Sequence, residues 1–179
     1  MKNLFLLFLM VSNVLFSQEF KQVKVGQTFN LSYPSSYSKV FNLNESASIQ
    51  LSNIVQDKYL IVIQEEKEAL KSLQVNFANI DEAAEFYSKN IISSIPENKN
   101  KKISSYRHFK INGYNATELT IDGDVEVDED GKFLTIAYKF VLAETPNYYY
   151  QFLFWSDVNK REKYNEEFEK ILSSFKETN

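Results

Sequence analysis

Residues 148–155 read YYYQFLFW, and six of the eight are aromatic in a chain whose formal net charge is -4. On a strand, successive side chains alternate between faces. Tyr148, Tyr150, Phe152 and Phe154 would then share one face, and Tyr149, Gln151, Leu153 and Trp155 the other. The first face is wholly aromatic; the second is apolar with one polar break. Large apolar patches are rare on a surface that has no partner, so the stretch reads as a core strand rather than an exposed platform. The segment before it, residues 133–143, alternates in the same way and sets Leu134, Ile136, Tyr138, Phe140 and Leu142 on one face. The segment after it carries Tyr164, Phe168, Ile171, Leu172 and Phe175 at helical spacing, one apolar stripe. The expectation is that this helix folds back over a continuous surface made by the two strands. Phe152 and Phe154 would lie beneath Phe168, Leu172 and Phe175.

Working outward, Phe29, Leu31 and Tyr33 alternate with polar residues up to Pro34, the period of a half-buried strand. Residues 48–54 alternate weakly, and residues 59–63 (YLIVI) are apolar on both faces, as in a strand covered on both sides. Asn79 followed by Glu82 resembles a capping box. It opens a helix with Ala83, Ala84, Tyr87 and Ile91 on one face, ending near Pro96. A short extra helix is expected within residues 66–73. Residues 103–111 read as a strand. Asn112-Gly113 is a two-residue hairpin turn, since both residue types tolerate positive φ. Further strands follow at residues 114–127 and 133–143, with a turn at 128–131 between them. The sum is an α+β class: a central antiparallel sheet flanked by helices, with the C-terminal helix packed on the sheet.

The first 17 residues read as a signal peptide. Lys2 is followed by a nearly continuous apolar run over residues 4–16 and then by small Ser17. The run is shorter than the roughly 20 residues that a spanning helix needs. Cleavage would leave residues 18–179 as one domain, at the periplasm or outside the cell. Loss of Lys2 would take the formal charge from -4 to -5. Nucleic-acid binding rests on phosphate neutralisation and is excluded as an expectation by that sign. The chain has no cysteine. A lipid-anchored cysteine, thiolate catalysis and cysteine metal sites are therefore out.

Asp122, Asp124, Glu126 and Asp128 fall on one face of a strand, and Glu129 and Asp130 extend the run into the turn. Clustered carboxylates can hold calcium or meet a basic partner; the plainer reading is a solvated hairpin end. Val127 stands where the calcium-loop template requires glycine. The four carboxylates are weak metal candidates and no cofactor is expected. Asp128, Glu129 and Asp130 are candidate partner contacts, as are Lys101 and Lys102 of a lysine-rich loop that also holds Lys99, with Arg107 near it. His108 is the only histidine and reads as a surface residue. Without a second histidine or a cysteine, the common metal and nucleophile–base sets cannot be built. The chain is expected not to be an enzyme. A carboxylate hydrolase would need two acids at a set separation in a cleft.

Several stretches together resemble the PsbP-like family: FNLSYP at 29–34, NIDEAAEFYSKNII at 79–92, INGYNATELTI at 111–121, the strand pair FLTIAYKFVL and YYYQFLFW, and FEKILSSFK at 168–176. The resemblance implies an antiparallel sheet sandwiched between helices, and action mainly by binding proteins, with no shared catalytic motif. The expected function is a non-catalytic extracytoplasmic protein-binding or accessory module. One form of it would be a periplasmic immunity protein against a toxin. The alternative is a carrier holding an apolar ligand on the aromatic sheet face.

Overall fold

The computed structural model describes residues 19–97, 99–126 and 131–178. Residues 1–17, expected to be a signal peptide, lie outside the described residues. The elements are β1 (Phe20–Val25), β2 (Phe29–Pro34), β3 (Ser38–Lys39), β4 (Ile49–Asn53), β5 (Lys58–Glu66), α1 (Lys67–Ser72) and α2 (Ile80–Ser94). They continue with β6 (Lys102–Ile103), β7 (Arg107–Ile111), β8 (Tyr114–Glu126), β9 (Phe133–Glu144), β10 (Tyr148–Asp157), α3 (Arg161–Ser173) and β11 (Lys176–Glu177). The main sheet has the order β3-β4-β5-β10-β9-β8-β6, with β7 also paired to β8. Its pairings are antiparallel. A smaller antiparallel sheet has the order β1-β2-β11.

Local chemistry explains the punctuation. Asn112 and Gly113 both take positive φ, 48° and 91°, and close the β7–β8 hairpin as their residue types allow. The Asn112 amide also donates to the carbonyls of Ser173 and Phe175, at 3.0 and 2.6 Å, tying the turn to the end of α3. Asn79 caps α2 by accepting from the N–H groups of Asp81 and Glu82, both at 3.0 Å. Glu82 accepts from the Ala78 N–H at 2.6 Å, one residue before the cap position of an ordinary capping box.

The sheet divides two cores. On one side β10 sends Tyr150, Phe152 and Phe154 against α3 and the small sheet, and all three are fully buried. The Phe154 ring lies 4.6 Å from that of Phe168, and Phe152 lies 5.2 Å from Phe175. Phe175 sits just past the end of α3, where it also meets Phe29 and Tyr150. On the other side α1 and α2 cover Leu119, Ile121, Phe140, Leu142 and Tyr149. Ile95, at the end of α2, is fully buried there. It lies so close to β8 that a Cβ on Gly123 would stand 2.2 Å from its Cγ2, so this approach requires glycine.

The structure departs from two expectations. The large-residue face of β9 does not join the aromatic face of β10 beneath α3. The register sets Phe152 opposite Val141 and Phe154 opposite Lys139, while Leu153 faces Phe140 and Trp155 faces Tyr138. Directly opposed residues share a face. Leu134, Ile136, Tyr138, Phe140 and Leu142 therefore lie with Leu153 and Trp155, on the side of α1 and α2. The strand expected over residues 103–111 is also broken, at Ser104–Tyr106, into β6 and β7.

Candidate functional site

The helices do not cover the whole of that second face. At its far end, cross-strand partners Tyr59, Trp155 and Tyr138 form an aromatic ladder over β5, β10 and β9. Tyr59 and Trp155 are stacked, with centroids 5.2 Å apart and planes 13° from parallel; Tyr138 follows at 6.5 Å. With Leu43, Val125, Leu134 and Ile136 they line an open cleft of about 420 Å³, and Asp57, Ser156 and Asp157 complete its lining. Burial pushes the Tyr138 phenol up from its ordinary value. Asp57 takes the Lys160 ammonium at 2.7 Å on one oxygen. That ion pair raises the Lys160 ammonium from its ordinary value. Asp157 accepts from the Asn159 N–H at 2.8 Å, capping the turn that leads into α3. Leu134 remains 38% exposed, so this surface is only half closed.

The cleft was not expected from the sequence. Its signal was present in the second face of β10: both faces of that strand are apolar, yet the C-terminal helix supplies one stripe and can cover only one. Which rows α2 would leave bare depends on register and helix placement, which the pattern does not carry.

The acidic and basic candidates are used otherwise. Asp122 pairs with Arg161 of α3. Asp124 accepts from the Asn100 amide at 2.7 Å and the Thr135 hydroxyl at 2.6 Å. Glu126 is exposed at the end of β8. Asp128, Glu129 and Asp130 lie outside the described residues. Among the described residues no three histidine, cysteine or carboxylate side chains gather as a metal set. The Lys101 side chain is turned inward, 7% exposed, and its ammonium meets Glu97 at 2.7 Å. Lys102 is exposed and pairs across the sheet with Asp122. The Lys99 ammonium sits 3.7 Å from the centre of the Phe133 ring. His108 is exposed, as expected, and meets Asp81 of α2 at 2.8 Å.

A separate set of charges clamps α3 to the sheet. Lys139 reaches Glu118 at 3.1 Å, Glu169 at 2.5 Å and Asn165 at 2.8 Å, and Arg107 reaches Glu118 at 2.8 Å. Burial drives the Glu118 carboxyl toward its neutral form. Arg107 and Lys139 act more strongly and hold it below the usual carboxylate value of 4.5. A folded-state value below the unfolded one gives stability that is present above the unfolded value and is lost as pH falls through the folded one. Glu118→Gln should thus be roughly 1.5–3 kcal/mol less stable than the parent at pH 7. The gap should narrow as pH falls below the unfolded-state value of about 4.3. Denaturant melts across pH check this, and a gap that does not narrow on acidification would contradict it.

Neither a known family model nor a curated protein matches the sequence. Solved structures do. Cyanobacterial PsbP (CyanoP) of Synechocystis sp. PCC 6803 superposes with a TM-score of 0.59 at 13% identity, over 94% of this chain and 98% of that one. The Ran-binding protein Mog1p of Saccharomyces cerevisiae gives 0.58 at 12%, over 89% and 96%. LpqN of Mycobacterium tuberculosis, involved in cell envelope biogenesis, gives 0.53 at 11%, over 90% and 91%. Identity this low carries fold and nothing more, and what it establishes is that this chain has the fold shared by PsbP and Mog1p.

Proposed function

We propose that the protein is a non-catalytic binding module that works outside the cytoplasm and takes a protein partner in the Tyr59–Trp155–Tyr138 cleft. The cleft is the observation that carries this reading. It leaves aromatic and aliphatic side chains half covered on a sheet whose opposite face buries Tyr150, Phe152 and Phe154 completely, and such patches mark interaction surfaces. Its polar groups are two aspartates, a serine and ring-borne donors, without the nucleophile, base and orienting group of a covalent catalyst. The similar fold of a Ran-binding protein supports binding rather than turnover as the activity. Export rests on the N-terminal pattern of Lys2, the apolar run and Ser17. The carrier alternative loses its ground, because Tyr150, Phe152 and Phe154 are filled over by the protein's own α3 and small sheet.

The test is affinity capture from the native envelope fraction with the parent protein and with Trp155→Ala/Tyr138→Ala. A partner retained by the parent and lost by the variant, with the variant still folded, is the expected result. Equal retention by both would move binding away from the cleft and defeat the proposal.

A further inference from the structure

Resting on that reading of the cleft as a binding site, we infer that its occupant is an extended segment of a partner protein carrying lysine or arginine beside an aliphatic anchor. Three observations converge. First, the charged side chains lining the cleft among the described residues, Asp57 and Asp157, are both carboxylates, with no described lysine or arginine in the lining. A cationic group is the complementary one. Lys160 holds one oxygen of Asp57; the Asp57 side chain is still 58% exposed and can accept a second donor.

Second, the rings are spent on one another. Tyr59 and Trp155 turn their flat faces together at 13°, so the ladder meets a ligand with ring edges and with the apolar wall of Leu134, Ile136 and Val125. A sugar ring needs an open aromatic face to stack on, whereas a branched aliphatic side chain packs against edges and wall. Tyr59, Tyr138 and Trp155 belong to the same lining, and phenol and indole N–H groups can hydrogen-bond a peptide backbone. Third, apolar exposure extends along the chain that enters the lining: Ile54 and Val55, just before Asp57, are 71% and 94% exposed. Apolar residues in such a row suit a chain segment rather than a small molecule.

The probes are three: an acetylated, amidated heptapeptide alternating lysine and leucine, its glutamate–leucine counterpart, and the neutral saccharide cellotetraose. Titration is read by calorimetry and by emission of Trp155, the only tryptophan of the chain. The lysine peptide should bind saturably and shift Trp155 emission, with affinity falling as salt rises. The glutamate peptide should bind at least tenfold more weakly. Asp57→Asn/Asp157→Asn should weaken the lysine peptide about tenfold. Asparagine tolerates the positive φ of position 57 and preserves the cap at position 157, so the fold is kept. Glu162→Gln/Glu166→Gln removes the same charge from exposed positions on α3 and should leave the affinity within twofold, which separates the cleft from net charge. Three results would overturn the inference: equal binding of both peptides, no effect of the Asp57/Asp157 pair, or silence from the lysine peptide. Cellotetraose alone shifting Trp155 would also overturn it while leaving the cleft a binding site. Equal partner capture by the Trp155→Ala/Tyr138→Ala variant would instead remove the underlying reading.

Discussion

Phe154→Ala should cost about 3–5 kcal/mol of folding stability, the transfer loss of a phenyl group plus the cavity it leaves. Phe154 has no exposed surface. It is flanked across the sheet by Leu60 and Lys139 and roofed by Phe168 at 4.6 Å. Collapse into the space is opposed from three sides: two neighbouring strands fix the floor, and the Lys139 clamp holds α3 in place. A domain's whole stability is about 5–15 kcal/mol, so the loss would be visible as a large drop in the denaturant midpoint. A change under about 1 kcal/mol, typical of surface sites, would mean that α3 does not cover this face.

The second large effect is expected at Lys58 and Glu167. The Lys58 ammonium, 1% exposed, lies 2.6 and 2.7 Å from the two carboxylate oxygens of Glu167. The Tyr37 hydroxyl donates to the same carboxylate at 2.8 Å, and the rings of Tyr37 and Tyr164 sit 5.0 and 4.8 Å from the ammonium. Burial first, and then Glu167, push the Tyr37 phenol far up, so it acts as a donor across the working pH range. Removing one partner strands a buried charge. Glu167→Gln or Lys58→Met should each cost about 3–5 kcal/mol. Lys58→Met/Glu167→Leu should cost clearly less than the two single changes summed, because desolvation of both charges is then avoided; what remains is the unpaired Tyr37 hydroxyl. A double-mutant cycle measures this, and simple additivity would show that the two groups do not act as a pair.

Where local pattern and tertiary placement agree, the sequence is legible. Asn79 reads as a cap and Asn112-Gly113 as a turn because each signal is contained within a few residues. The packing of Phe152 and Phe154 on Phe168 and Phe175 is likewise readable, since strand alternation and the helical stripe are adjacent in the chain. The failures have a different cause. Whether Leu134 to Leu142 shares a face with Phe154 or with Trp155 turns on a register shift of one residue, which alternation alone leaves undetermined. The strands β1 and β11 were not expected: in one, Lys21 and Lys24 stand three apart and break the alternation of Phe20, Val23 and Val25, and the other is two residues long and exists through its pairing with β2. The acidic ladder looked free because Arg161, which binds Asp122, stands 39 residues away in the chain.

The cleft belongs to this second kind. Trp155 and Phe154 are neighbours of similar hydrophobicity on one strand, and no local feature says which will be sealed. The sheet's α3 face is closed at Phe154, while its other face is left open at Trp155. Acrylamide quenching of Trp155, the only tryptophan, tests that most directly. The native protein should show clear collisional quenching, intermediate between a buried indole and the unfolded chain, and less of it once the lysine–leucine peptide is bound. A native emission that acrylamide does not reach would show the cleft closed and contradict the account.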